Sequence, residues 1–352
     1  MLEKKRVLIT GGTGSLGKVL VRRLLSGELG RPDKIIVFSR DEAKQHAMRV
    51  EYMNKSNATD EVIYQDFKEL LEFRIGDVRD FHSLASALTE ADVVFNAAAL
   101  KQVPACEYFP YQAVMTNILG PENIVRAIQE HNLPIKTVMG ISTDKACKPV
   151  NVMGMTKAIQ ERVFIQANMR CPNTRFICVR YGNVLASRGS VIPLFHEQIK
   201  NGGPVTITTP DMTRFLLSLN QAVDTIFAAV RGAKRGETYI PRVPSAKVTD
   251  IAAILIGDRP MQTVITGIRP GEKVHEILVS EEECHRTVDR GSHYSILPIL
   301  PEVRAEASFI PALQSEYSSA DNVMSWADLA DLLQKQKLMV GDSPLQDGEL
   351  LR

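Results

Sequence analysis

Residues 7–25 read VLITGGTGSLGKVLVRRLL. A short β-branched run is followed by Gly11, Gly14 and Gly17 at three-residue spacing, and then by Leu16, Leu20 and Leu24 on one helical face. The order is strand, glycine turn, helix. Glycines at this spacing permit the tight turn, let backbone approach a pyrophosphate, and allow close helix–strand packing; the helix N-terminus attracts the anion. A bare glycine pattern is weak evidence, but in this strand–turn–helix context it predicts dinucleotide binding by Gly11, Thr13, Gly14, Ser15, Leu16 and Gly17.

Outward from this unit the same alternation continues. RVLIT (6–10), KIIVFS (34–39), LEFRIGD (71–77), DVVFNAA (92–98), KTVMGIS (136–142) and RFICVRY (175–181) have the composition of buried strands. Between them, residues such as Ile118, Ile124 and Ile128 recur at helical spacing. Strand–helix alternation with near-continuous apolar strands predicts an α/β fold, a Rossmann-type doubly wound parallel sheet covered on both faces. After about residue 182 the chain turns Gly/Pro-rich, as in GGPVTITTPDMTRF and IRPGEKVHE. The expected division is a dinucleotide-binding domain over 1–182, its sheet completed by later segments. A smaller mixed α/β substrate lobe with a C-terminal arm follows over 183–340, and then a tail over 341–352.

Composition narrows the partners. Of 352 residues, 44% are hydrophobic and 24% charged, with a formal net charge of +1, so no global field points to nucleic acid or an anionic membrane surface. Five cysteines lack metal-ligand spacing and are odd in number, which predicts reduced thiols, no bound metal and a cytoplasmic location. No apolar run approaches the length of a membrane span, and the N-terminus lacks the pattern of a signal peptide.

The second strand ends in VFSRDEAKQ. An acidic residue there would accept from the adenosine ribose 2′-hydroxyl. Ser39 and Arg40, with Lys44 nearby, instead suit a 2′-phosphate, and so NADP. The alternative is an Arg40 that merely stacks on adenine. GDVRD (76–80) would flank the adenine through Asp77 and Val78, and Ala97, Ala98 and Ala99 would line the nicotinamide side. Two other features have bland readings: Asn117 ties a helix to the catalytic strand, and Trp326 anchors the C-terminal helix by packing. His275 and His285 sit in polar helical surroundings without metal-binding spacing.

Taken together, the glycine pattern, NAAA (96–99), STDKA (142–146) and MGMTK (153–157) resemble the extended short-chain dehydrogenase/reductases. Within them, SRDEAKQ, STDKACKPVNVMGMTK, RYGNVLASRGSVIPLF and RPGEKVHE resemble the inverting UDP-N-acetylglucosamine 4,6-dehydratases of bacterial surface-polysaccharide synthesis. The matches run in order from about residue 5 to 280. The resemblance implies C4 oxidation, C5 deprotonation, loss of water from C6 and return of hydride to C6, with inversion at C5 and no net consumption of cofactor.

The resemblance assigns Asp144 as acid toward the C6 oxygen and Lys145 as base at C5. It places Thr143 or Ser142 at the C4 oxygen and Lys157 at the nicotinamide ribose. Where a tyrosine normally precedes this lysine by four residues stands Met153, which has no ionisable group. That leaves two readings: a silent nucleotide-sugar binding subunit, or an enzyme of the capsular branch in which Lys145 also serves C4. Tyr181 is the weaker candidate for that second base. Epimerisation without dehydration is a further alternative. For the UDP-sugar, the resemblance implies contacts from Lys101, Asn183, Arg188, Val191, Thr208, Arg214, Arg269 and Glu272, with Arg214 and Arg269 gripping the diphosphate. It also implies a homo-oligomer, hexamer or dimer, for which 317–333 could supply an exchanged arm.

Overall fold

The six strands anticipated above form as β1 (Arg6–Thr10), β2 (Lys34–Ser39), β3 (Leu71–Ile75), β4 (Val93–Asn96), β5 (Thr137–Ile141) and β6 (Arg175–Val179) in a computed structural model. The structure describes residues 1–55, 67–185, 190–305 and 308–342. Further strands are β7 (Val205–Ile207), β8 (Thr213–Phe215), β9 (Thr238–Pro241), β10 (Ser245–Lys247), β11 (Thr263–Ile265), β12 (Ile277–Val279), β13 (Thr287–Asp289), β14 (His293–Ile296) and β15 (Tyr317–Ser318). Among the described residues the central sheet runs β13-β14-β9-β6-β5-β4-β1-β2-β3. It is parallel from β3 through β9, with β14 and β13 added antiparallel at one edge.

The strand sequences account for two cores. Side chains alternate across a pleated sheet, so Val7 and Ile9 of β1 enter one core with Ile35, Val37 and Phe95. Leu8 enters the other, with Ile36, Phe38, Val94 and Val138. The first core is closed by α1 (Ser15–Leu25) and α9 (Leu219–Gly232); the second by α3 (Phe81–Leu88), α6 (Gly120–Glu130) and α7 (Val152–Arg170). A sheet buried on both faces cannot show an alternating polar pattern, which explains the continuous apolar runs. Helix α2 (Glu42–Lys55) follows β2, and α4 (Val103–Tyr108) and α5 (Pro110–Val114) follow β4.

The second lobe has its own core. Ile192, Phe195 and Ile199 of α8 (Val191–Lys200) meet Val248, Ile251 and Leu255 of α10 (Val248–Ile256). Small ribbons β8–β10, β7–β11 and β12–β15 complete it. Within the 317–333 segment, β15 pairs with β12, and the terminal helix, α12 (Trp326–Lys335, following α11, Glu281–Cys284), buries Leu329 and Leu333 in the second lobe's core. One expectation is corrected here. Trp326 does not anchor this helix: at its first position it is 53% exposed. Of the expected tail, residues 343–352 lie outside the described residues. No helix among the described residues is long and apolar enough to cross a membrane.

Candidate active site

Strand β5 ends at Ile141, and the chain then makes a single 3-10 turn, Asp144–Ala146. Thr143 caps this turn, its hydroxyl accepting from Lys145 N at 3.4 Å. Helix α7 starts just beyond, where Asn151 Oδ1 accepts from Gly154 N at 2.8 Å. A Cβ on Gly154 would stand 2.2 Å from the Lys145 carbonyl oxygen, so only glycine lets the helix seat directly on the turn.

The turn delivers Asp144 and Lys145 into one cluster. Lys145 Nζ donates to Asp144 Oδ1, to Asn183 Oδ1 and to Glu276 Oε1, each at 3.1 Å. Asp144 is fully buried; its Oδ1 also accepts from Thr143 Oγ1 at 2.8 Å, and its Oδ2 has no protein partner. Burial, and then the Glu276 charge, raise the Asp144 pKa above the usual carboxylate range despite Lys145. Burial works against the charge on Lys145, but Asp144 and Glu276 outweigh it and the net shift is upward. For Glu276 burial opposes ionisation, yet Lys145 and Arg214 hold the carboxyl below its usual value. The site therefore sets an Asp144 that holds a proton more readily than an ordinary carboxyl beside an ammonium at Lys145. As it stands, that ammonium is not a base.

Glu276 escaped the sequence reading, although RPGEKVHE ends on it. It is carried in by a strap of residues 269–276. Asn151 Nδ2 donates to Gly271 O at 2.8 Å, fastening the strap to the start of α7. Lys273 Nζ donates to the Cys147 carbonyl. Arg214 Nη1 and Nη2 donate to the carbonyls of Thr213, Val274 and Lys273, and its Nε lies 3.8 Å from Glu276 Oε1. Arg214 is thus buried and turned inward to hold the strap, where the sequence suggested a diphosphate grip. His275 lies in the strap rather than in a helix, with Nδ1 2.8 Å from Thr213 Oγ1.

A second buried network underlies the first. Ser142 Oγ donates to Glu161 Oε1 at 2.5 Å, so this hydroxyl is already engaged in the buried network. Arg180 bridges Glu161 at 2.6 Å and Glu283 at 2.7 Å. Lys157 is buried, donating to Ile141 O at 2.7 Å and Gln160 Oε1 at 2.8 Å, and burial lowers its pKa to about 8. Met153 packs with Cys106 and Ala113 in a small apolar cluster and is a packing residue there. Tyr181 is likewise buried in the main core, and burial raises its phenol pKa.

At the cofactor end, Gly11 has φ +67° and a Cβ there would meet the Ala98 backbone at 2.8 Å. Gly14 caps α1 without a side chain, and no acidic residue occupies the first turn, so the helix start is left to an external anion. Thr13, Ser15, Leu16 and Gly17 surround this turn, and the donor set fits a dinucleotide pyrophosphate. Ala97 and Ala98 continue from β4 with their N–H groups on Thr10, and Ala99 follows. Ser39 is buried and its hydroxyl accepts from Gln45 Nε2 at 3.0 Å, so Arg40 is the exposed member of that pair. Arg40 Nη1 lies 3.8 Å from Asp77 Oδ2, whereas Lys44 pairs with Asp41 at 2.8 Å. Asp77 also binds Arg79 at 2.6 Å, and Val78 is buried against Gly120. Asn117, in a π-turn over Met115–Leu119, accepts from Leu100 N and donates to Leu100 O and Thr156 Oγ1. It therefore ties the loop after β4 to α7, not the catalytic strand.

The remaining substrate candidates divide. Thr208 Oγ1 donates to Glu272 Oε2 at 3.4 Å, joining β7's end to the strap. Arg269 is exposed at the strap's start and Val191 opens α8. Lys101 is exposed on the loop before α4. Arg188 lies outside the described residues.

Comparison with known proteins agrees with this picture. A family model described as polysaccharide biosynthesis protein matches residues 7–298. A Campylobacter jejuni protein named UDP-N-acetylglucosamine 4,6-dehydratase (inverting) is 40% identical over 95% of this chain and 98% of its own. A Rickettsia conorii protein named UDP-glucose 4-epimerase is 43% identical over 84% of each. The X-ray structure of Pen from Bacillus thuringiensis is 32% identical and covers 96% of this chain and 100% of its own, with a TM-score of 0.85. A dTDP-glucose 4,6-dehydratase, DesIV from Streptomyces venezuelae, shares the fold at 22% identity, covering 76% of this chain and 86% of its own, with a TM-score of 0.62. On the extent of the family match and of these relatives, the chain belongs to the polysaccharide biosynthesis protein family, built on the short-chain dehydrogenase/reductase fold.

Proposed function

We propose that this chain is a 5-inverting UDP-N-acetylglucosamine 4,6-dehydratase using NADP. The observation that carries the reading is Asp144: a fully buried carboxyl whose pKa burial raises, with Oδ2 unpartnered and Lys145 beside it. Epimerisation at C4 requires no acid at C6, whereas loss of the C6 hydroxyl as water does. Bound nicotinamide would supply the acceptor and later the donor of hydride.

The chain's own residues do the proton work. Asp144 protonates the departing C6 oxygen, and Lys145 takes the proton from C5. Asn183 and Thr143 hold these two groups in place through the bonds described above. Lys157 lies at the end of β5 to orient the ribose. Arg40, with Lys44, favours a 2′-phosphate. Arg269, Thr208, Glu272, Val191 and Lys101 form the surface for the uridine diphosphate. The unpaired cysteines suit a reducing, cytoplasmic setting, and the product, a UDP-4-keto-6-deoxy-HexNAc, would feed capsular or other surface polysaccharide from a homo-oligomeric enzyme.

Incubation with UDP-N-acetylglucosamine in deuterated water, followed by NMR, tests the reading. A 4-keto-6-deoxy sugar with deuterium at an inverted C5 is expected. A C4 epimer that retains its C6 hydroxyl would favour the function named for the Rickettsia relative, and recovery of unchanged substrate would leave only a binding role.

A further inference from the structure

Lys145 presents a difficulty that geometry can resolve. A lysine held as an ammonium by two carboxylates must release a proton before it can take one from a sugar. The charged groups facing Nζ are Asp144 on its own turn, Glu276 and Lys273 on the strap, and Arg214 on β8. Of the two carboxylates, Asp144 is the one whose proton affinity burial raises, and it is committed to the leaving oxygen under the reading above. Glu276 is the ionised one.

Glu276 is also built to stay where it is. Its N–H donates to Ser319 Oγ at 2.9 Å, and its carbonyl accepts from Ser319 N at 2.8 Å. Ser319 is itself fully buried, its hydroxyl 2.7 Å from Thr213 Oγ1. With the backbone clamped, Oε1 is aimed at Lys145 and Oε2 remains buried without a partner. A carboxylate serving only as a structural ion-pair member would be expected to satisfy both oxygens.

We infer that Glu276 is a positioning residue for Lys145: its carboxylate fixes Nζ beside Asp144 and Asn183 and sets how readily the lysine gives up its proton. No proton need rest on Glu276 itself, which Lys145 and Arg214 keep ionised. This inference rests on the dehydratase reading for its substrate, but its central claim concerns two residues of the free protein.

The test compares wild type, Glu276→Gln and Glu276→Asp in two measurements. Lysine-labelled protein without substrate is titrated by NMR, with the Lys145 signal identified by its loss in Lys145→Met. In Glu276→Gln the Lys145 titration should move down by about one pH unit or more, and in Glu276→Asp by less. In steady-state kinetics, Glu276→Gln should lose about 100-fold in kcat with KM within about threefold of wild type. Glu276→Asp should recover part of the loss and show a displaced pH profile. An unchanged Lys145 titration in folded Glu276→Gln, or a kcat within threefold of wild type, would overturn the inference. If Glu276→Gln does not fold, Glu276→Asp decides: wild-type titration and wild-type pH profile would overturn it equally. A wild-type protein that leaves the sugar nucleotide unchanged defeats the dehydratase reading, while the Lys145 titration still decides the link to Glu276.

Discussion

Replacing Gly154 with alanine should separate catalysis from stability. The added methyl group would sit 2.2 Å from the Lys145 carbonyl oxygen, 3.0 Å from its carbon and 3.2 Å from Pro149 Cβ. Reaching an acceptable separation of roughly 3.2 Å requires about 1 Å of movement. The helix cannot easily retreat, because Asn151 holds both Gly154 N and Gly271 O at 2.8 Å. The turn bearing Asp144 and Lys145 must yield instead. Overpacking of this kind costs about 1–3 kcal/mol, and exchanging glycine for alanine in a helix returns about 0.5–1 kcal/mol. The net loss is then up to about 2.5 kcal/mol, which moves the melting temperature of a chain this size by only a few degrees. Displacing catalytic groups by about 1 Å costs on the order of 100-fold in rate. The expected variant is folded, melts slightly below wild type and has lost about two orders of magnitude in kcat. The measurement is kcat from product formation beside a calorimetric melt. Wild-type kcat in this variant would refute the claim that α7 sets the position of the turn.

Two further outcomes follow from the charge networks. Arg180→Leu strands Glu161 and Glu283 in the interior and should cost about 3–5 kcal/mol, read as a lower urea midpoint. Glu283 gives this network a pH signature: burial opposes its ionisation, but Arg180 and Arg286 hold its pKa down at about 2 against an ordinary 4.5. A depressed carboxyl stabilises fully above its unfolded value and loses that contribution as pH falls from 4.5 toward 2. Acid unfolding followed by circular dichroism should begin at higher pH in Arg180→Leu, and coincident curves would contradict this account. Arg40→Asp should reverse cofactor preference, weakening NADP by at least about tenfold and sparing NAD; equal binding of NADP by both proteins would remove Arg40 from the 2′-phosphate reading.

The sheet was legible because its determinants are local. A β-branched run and a glycine turn such as 7–17 specify strand and loop with little help from distant residues, and burial on both faces left the strands apolar throughout. The Asp144–Lys145 pair was visible for the same reason, being adjacent in sequence. Glu276 was not, since it lies 131 positions beyond Lys145 and nothing in KVHE distinguishes a buried carboxylate from a solvated one. Arg214 shows another limit: an arginine's partners depend on the carbonyls that a fold brings near it, here those of Lys273 and Val274. Ser142 and Ser39 looked like donors to ligands, but each sits where a strand end meets a helix and is claimed by Glu161 and Gln45.

The strap of residues 269–276 carries an implication for building variants. One short segment holds Glu272, placed with the substrate candidates, and Glu276, which governs Lys145. Grafting a different C-terminal lobe onto this sheet would exchange both together. A chimera made to accept a new sugar nucleotide would import a foreign carboxylate behind the catalytic lysine, or none. Such a protein could bind its new ligand well and still fail to turn it over, and restoring a glutamate at the strap's last position is the repair to try first.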